Sequence, residues 1–177
     1  MGNNTLIWNS NYFSGSISQS LSNTHVLNIP QSVEQVKIMI YWHDKEGNAS
    51  ASTSLVNNIN MQITASNGSS YLPFVLNSSP NSSSLDQYAS TGVDNLNNME
   101  QIVINNPSSG AYTIQVNGSS IPFGPQDYFI SYEFIDNNVA LTYPLGGEGL
   151  VPYEYEAIRW DANDNNMPFN LEYSTNN

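Results

Sequence analysis

The stretch that decides the fold is Val36-Lys37-Ile38-Met39-Ile40-Tyr41-Trp42. Apolar side chains recur at every second position, so Val36, Ile38, Ile40 and Trp42 are predicted to share one face of a strand. An amphipathic helix would instead place its apolar residues three and four positions apart. We therefore expect a half-buried strand, which needs a second layer to cover its apolar face.

The same alternation returns in three later stretches, each bounded by Asn, Ser, Gly or Pro. The predicted inward-facing sets are Ile59, Met61 and Ile63; Tyr112, Ile114 and Val116; and Tyr128, Ile130, Tyr132 and Phe134. Asn67-Gly68 fits a tight hairpin turn, and Pro107-Ser108-Ser109-Gly110 separates two strands. Short strands without intervening helices predict an all-β fold, an antiparallel jelly-roll β-sandwich with a short additional β segment at the C-terminus.

The composition changes near Asp136, where two asparagines are followed by a new apolar run. We predict a jelly-roll accessory domain over 1–136 and the beginning of a second module over 137–177. Three strands fit the second segment, at 139–143, 156–160 and 169–173. An independent sandwich needs about seven strands, so we expect the second module to be truncated.

The chain is strongly acidic, with 15 Asp and Glu against 3 Lys and Arg and a formal net charge of -12. This charge would repel a phosphate backbone, so nucleic acid is not an expected partner. The absence of cysteine excludes disulfides, Cys-ligated zinc and a thiol nucleophile. No stretch approaches the roughly 20 apolar residues of a spanning helix, so no membrane span is predicted.

Five motifs occur in a fixed order along the predicted sandwich. They are Tyr41-Trp42-His43-Asp44, Leu55-Val56-Asn57-Asn58-Ile59-Asn60-Met61, Asp94-Asn95-Leu96-Asn97-Asn98-Met99-Glu100-Gln101, Pro107-Ser108-Ser109-Gly110-Ala111-Tyr112-Thr113 and Gly124-Pro125-Gln126-Asp127-Tyr128. Together they resemble the C-terminal β-sandwich, a P-domain-like jelly roll, of secreted bacterial subtilisin-like serine peptidases. Two aspartates of the family motif Leu-Val-Asn-Asp-Leu-Asp-Leu are Asn58 and Asn60 in this chain.

The resemblance implies a non-catalytic accessory domain, secreted or on the cell surface of a bacterium. Its expected partner is the catalytic domain of the parent peptidase, which it would stabilise or for which it would position protein substrate. The tail, from Leu141-Thr142-Tyr143-Pro144 to Leu171-Glu172-Tyr173-Ser174, resembles the start of an immunoglobulin-like module of the kind found in exported Bacteroidetes proteins.

The sequence lacks the elements of a serine triad. It has only two histidines, His25 and His43, and neither Gly-x-Ser-x-Gly nor Gly-Thr-Ser-Met-Ala occurs. We therefore expect no enzymatic activity and structural roles for both histidines.

Oxygen-bearing side chains are concentrated at the ends of three predicted strands. The candidate ligands of a calcium ion are Asp44, Asn57, Asn58, Asp94, Asn97 and Glu100. Calcium takes six to eight oxygen ligands from carboxylates, amides, carbonyls and water, which this set could supply. The alternative is turn chemistry without a metal, because Asp and Asn side chains also hydrogen-bond their own backbone.

The aromatic residues suggest an alternative function from another class. An extracellular adhesion or carbohydrate-binding module would bind polymer through exposed aromatic side chains. The candidates are Trp8, Tyr12, Phe13, Trp42, Tyr71, Phe74, Phe123 and Tyr128. Most are expected in the core, and the segment 71–76 is expected to be the most exposed.

Overall fold

A computed structural model describes residues 11–136, 139–149, 151–162, 168–172 and 174. The chain divides into two compact units, Met1–Phe134 and Ile135–Asn177. The assignment of 1–136 to a jelly-roll accessory domain and of 137–177 to an immunoglobulin-like module stays a prediction.

Ten strands and one short helix precede residue 137 in the described chain. They are β1 (Tyr12–Ile17), β2 (Ser22–Ile29), β3 (Val33–Tyr41), β4 (Asn58–Ala65), β5 (Ser70–Tyr71), β6 (Phe74–Val75), α1 (Ser82–Leu85), β7 (Ser90–Thr91), β8 (Met99–Asn105), β9 (Gly110–Ser120) and β10 (Gln126–Asp136). The predominance of strands confirms the all-β prediction.

Eight of these strands form two four-stranded sheets, in the orders β1-β10-β3-β8 and β2-β9-β4-β5. The pairings described within these sheets are antiparallel. The first four strands alternate between the sheets, so the two layers interleave along the chain as in a jelly roll. The predicted sandwich is confirmed. β6 and β7 form a separate two-stranded sheet in the long connection between β5 and β8.

The core lies between the two sheets and follows the period-two pattern. Val36, Ile38, Ile40 and Trp42 are each 0% exposed, as the first stretch predicts. The sets beginning at Ile59 and Tyr112 are buried as well. In the last set the pattern weakens towards its end, because Tyr132 and Phe134 are only partly buried against the cluster.

The predicted turns occur where their sequence chemistry requires them. Asn67-Gly68 joins β4 to β5, with a φ of 87° at Gly68 and a hydrogen bond of 2.9 Å from Gly68 N to Ala65 O. The run from Pro107 separates β8 from β9, which begins at Gly110 with a φ of 130°. Glycine adopts these positive φ values without the steric cost that a Cβ would add.

Gly118 is the point at which β9 bulges. The register to β4 jumps from Asn58↔Ser120 to Ile59↔Gly118. A Cβ at Gly118 would clash with the main-chain oxygen of Ser18 and approach Ile121 within 3.1 Å. The bulge therefore depends on a residue without a side chain.

We expect Gly118→Ala to lower the free energy of unfolding by about 2 kcal/mol, because main-chain atoms cannot move aside as a flexible side chain can. Urea denaturation followed by circular dichroism measures the change. The control is Gly92→Ala, whose Cβ would have only an ordinary contact of 3.8 Å to Val75. Equal denaturation midpoints for the two variants would contradict the prediction.

The second unit contains a small antiparallel sheet of β11 (Ala140–Tyr143) and β12 (Arg159–Asp161). The prediction of a third strand at 169–173 is wrong for the described part, because 168–172 carry no strand. Tyr173 lies outside the described residues. Within the described chain, no helix is long and apolar enough to cross a membrane.

Candidate functional site

Asn57 is the residue at which three of the five motifs meet, those of Tyr41–Asp44, Leu55–Met61 and Gly124–Tyr128. It is 1% exposed. Its Nδ2 donates to the Phe123 carbonyl at 2.9 Å and to Gln126 Oε1 at 2.7 Å, and its Oδ1 accepts from Phe123 N at 3.2 Å. The Trp42 indole donates to the Asn57 carbonyl at 2.9 Å. The side chain of Asn57 therefore holds the 123–126 segment against the start of β4.

Asp44 likewise stabilises the backbone. Its two carboxylate oxygens accept from Val56 N at 2.7 Å and Asn57 N at 2.8 Å. Both groups precede β4, so the carboxylate satisfies donors that the strand ladder does not reach. Asp44 and Asn57 thus act as structural partners of each other, and their role as calcium ligands stays a prediction.

The motif that begins at Asp94 forms a turn held by hydrogen bonds within residues 94–97. Asp94 is 3% exposed, and its Oδ1 accepts from Leu96 N at 2.8 Å and Asn97 N at 3.3 Å. Its Oδ2 accepts from Asn97 Nδ2 at 2.7 Å. This arrangement matches the turn chemistry that was the alternative to calcium, with Asn97 acting as a donor towards Asp94.

Three buried side-chain oxygens have no hydrogen-bond partner in the described structure. They are Asn58 Oδ1, Asn60 Oδ1 and Glu100 Oε1. The other polar atoms of these side chains are engaged: Asn58 Nδ2 donates to Asn95 Oδ1 at 2.7 Å, and Asn60 Nδ2 donates to Ser119 Oγ at 2.7 Å. Buried acceptors without partners are uncommon and point to an absent donor, water or cation.

Two of these groups, those of Asn58 and Asn60, are on β4, and the third, that of Glu100, is on β8. Asn58 and Asn60 are two positions apart and so lie on one face of the strand. Glu100 reaches β4 from the opposite sheet, where its Oε2 accepts from Met61 N at 2.7 Å. We call Asn58, Asn60, Glu100 and the neighbouring Asp94 the oxygen cluster.

Glu100 is the electrostatic centre of the oxygen cluster. It is 1% exposed. The pKa of its carboxyl is raised from 4.5 to about 8, mainly by burial and also by the negative charge of Asp94, with the bond from Met61 N opposing the rise. A buried carboxyl in this state is stabilised by a proton or by a cation.

The oxygen cluster differs from the predicted ligand set. Within the described residues, no group of three or more His, Cys, Asp or Glu side chains could hold a metal ion. A site here must draw on amide oxygens, as Asn58 and Asn60 would provide. Asn60 was not among the predicted ligands, although its spacing of two from Asn58 on a strand could have indicated it.

His25 packs among the aromatic side chains of the sandwich, whereas the His43 side chain is exposed. His25 Nε2 lies 2.8 Å from the Tyr128 hydroxyl, which also accepts from Asn23 Nδ2 at 3.0 Å. Burial lowers the pKa of His25. His43 is exposed, and its carbonyl accepts from Gln126 Nε2 at 3.1 Å.

The candidate aromatic residues divide between the core and the surface. Trp42 and Tyr128 are each 0% exposed and belong to the core. Phe74, Phe123 and Tyr12 are exposed, and Lys45 Nζ lies 3.9 Å from the centroid of the Phe123 ring. Phe13 and Tyr71 are partly buried, and Trp8 lies outside the described residues.

One further motif behind the resemblance contains a hydrogen bond between two of its own residues. The fourth motif, Pro107 to Thr113, includes a hydrogen bond of 3.0 Å from the Tyr112 hydroxyl to the Ser108 carbonyl. No protein-family model matches the chain. No curated protein matches it either. The kinship with subtilisin-like peptidases therefore stays a proposal that depends on the motifs.

Proposed function

We propose that this chain is a non-catalytic, calcium-stabilised accessory module of a secreted bacterial subtilisin-like serine peptidase. The observation that carries the proposal is the set of three buried oxygens without partners in the oxygen cluster. They occur in two of the five motifs behind the resemblance, those that contain Asn58 and Glu100. The module would bind the catalytic domain of the parent and stabilise it.

The chemistry of the oxygen cluster suits calcium. A hard cation is satisfied by carboxylate and amide oxygens together with water, and it would offset the buried charges of Glu100 and Asp94. Asn58 and Asn60 are neutral amides where the family has aspartates, so the electrostatic attraction between the oxygen cluster and a calcium ion is smaller than in the family. We expect a dissociation constant on the order of 0.1 to 1 mM, the range of extracellular calcium modules.

Calcium is expected to raise the melting temperature of the protein relative to the chelated form. A ligand at about 100 times its dissociation constant stabilises by roughly 2.7 kcal/mol. For a protein of this size, that corresponds to a rise of roughly 8 °C. Differential scanning calorimetry with chelator, calcium and magnesium in separate runs measures the response.

The matched variants are Asn58→Ala with Asn60→Ala, and Asn28→Ala as a control at an exposed position of β2. The double variant should lose most of the calcium response, whereas the control should keep it. Each response is compared with the same variant in chelator, so a general loss of stability is subtracted. An identical melting temperature of the parent chain with calcium and with chelator would refute the calcium site.

The accessory role has a separate test in the parent peptidase. Deleting this module should lower the melting temperature of the catalytic domain or its activity on large protein substrates. Unchanged melting and unchanged activity would refute the role, whatever the result with calcium.

A further inference from the structure

A groove lies against the outer face of β3 and β8. It encloses about 630 Å³, and its floor and walls include Met39, Met99 and Gln101 from the two strands and Phe74, Leu76 and Tyr88 from the connection that carries β6 and β7. Met99 is 50% exposed and Leu76 is 68% exposed. We call this cavity the β8 groove. Its volume lies within the range of ligand-binding pockets.

Among the strands that the structure describes, the one beside the groove is an open edge. β8 ends its sheet in the order β1-β10-β3-β8, and β6 approaches β8 without pairing with it. Main-chain bonds from Trp42 N to Asn98 O and from Asn106 N to Glu34 O flank the β3–β8 ladder. Both join even-numbered residues, so the even-numbered residues of β8 face β3.

The odd-numbered residues of β8 therefore direct their N–H and C=O groups outward. For Met99, Gln101 and Val103, no hydrogen bond to these main-chain groups occurs in the described chain outside the β3 ladder. The side chains of Met99, which is apolar, and of Gln101, which is polar, line the groove, so the residues with outward main-chain groups also contribute to its lining. Outward-facing N–H and C=O groups of this kind can form hydrogen bonds with another extended backbone.

The lining also indicates the side chains that such a backbone would carry. Methionine, leucine and aromatic residues adapt to apolar groups of varied shape. None of the lining residues is basic, and Asp94 is the one charged member. With a net charge of -12 on the chain, an acidic segment would be repelled and a basic one attracted.

We propose that the β8 groove binds a segment of another polypeptide in an extended conformation, which adds to β8 as an antiparallel or parallel strand. Alternate apolar side chains of the segment enter the groove, and basic residues flank them. A second copy of this chain is disfavoured as the occupant because it carries the same acidic charge. The inference goes beyond the proposed function, since it requires neither calcium nor a peptidase parent.

The test uses the full chain and an array of short synthetic peptides in which valine, leucine, phenylalanine and threonine alternate between lysine flanks. Binding of fluorescent versions is followed by anisotropy with calcium and again with chelator. We expect saturable binding in both conditions, and loss of binding when alternate peptide nitrogens are methylated or glutamate replaces lysine. Methylation removes the donors that pair with β8.

Three variants test the groove itself. Met99→Asp and Leu76→Asp place a charge in it, and Gln101→Pro removes an outward N–H while leaving the bonds to β3 in place. Each should weaken the affinity at least about tenfold. The matched control is Val26→Asp on β2, an edge strand of the other sheet, where Val26 is 57% exposed. The control should bind as the parent chain does.

Several results would overturn the proposal. One is an array with no retained peptide, and another is binding that survives both Met99→Asp and Leu76→Asp in folded protein. Equal binding of the methylated peptide would refute pairing with β8. Light scattering that shows a dimer abolished by Met99→Asp would assign the groove to a second copy. Binding of cellohexaose or chitohexaose, lost in Leu76→Asp, with no peptide bound would assign it to a glycan.

Discussion

With calcium chelated, the free energy of unfolding is expected to fall as the pH rises from about 4.5 to about 8, the interval between the ordinary and the folded pKa of Glu100. The folded state holds the proton more tightly than the unfolded state, so its advantage is complete below this interval and lost above it. Since one pKa unit corresponds to about 1.4 kcal/mol, the loss approaches roughly 5 kcal/mol. Urea denaturation at a series of pH values measures it.

The Glu100→Gln variant isolates this effect. It keeps the shape of the protonated carboxyl and removes the titration, so its stability in chelator should change much less across the same interval. Glu34→Gln, at an exposed position, should retain the fall of the parent chain. Saturating calcium should also reduce the fall, because the cation replaces the proton beside Glu100. A parent chain and a Glu100→Gln variant with the same pH profile would contradict the prediction.

Asn57→Ala is expected to lower the free energy of unfolding by about 4 kcal/mol, with and without calcium. The substitution leaves the Phe123 carbonyl, the Phe123 N–H and Gln126 Oε1 without the partner they have in the parent chain. Each buried polar group left unpaired costs about 1 to 3 kcal/mol, and the lost side chain adds a cavity. Equilibrium denaturation in urea measures the change.

Asn57→Asp distinguishes hydrogen bonding from packing. Aspartate has nearly the same size but cannot donate to the Phe123 carbonyl or to Gln126 Oε1, so a similar loss is expected. Asn28→Ala, at an exposed position, should change the stability by less than about 0.5 kcal/mol. If Asn57→Asp were as stable as the parent chain, the donor role of Asn57 would be wrong.

The fold could be predicted from local patterns because the core is built from strictly alternating strands. The alternation from Val36 to Trp42 predicts the buried face of β3, and Asn67-Gly68 predicts the turn between β4 and β5. The third C-terminal strand could not be judged in the same way. Its apolar residues alternate around Leu171, but a strand also needs a neighbour to pair with, which no local pattern supplies.

The candidate site was predictable in region and not in detail. The sequence places Asp44 and Asn57 among the candidate ligands, because Asp and Asn oxygens suit both calcium and backbone capping. Which role each takes depends on partners that are distant in sequence, such as Phe123 and Gln126. The hydrogen bond from Met61 N to Glu100 in the oxygen cluster likewise joins the two sheets. Neither motif by itself indicates that these two residues meet.

The strand order has a consequence for the folding of this protein during its synthesis on the ribosome. β9 and β10 are made last among the sandwich strands, yet they are the interior strands that join β2 to β4 and β1 to β3. A nascent chain that ends before Gly110 lacks the partners of β1, which pairs with 126–131, and of β2, which pairs with 110–117. Such distant pairings form slowly and together. The module is therefore expected to stay unfolded during its synthesis and to close in one late, cooperative step.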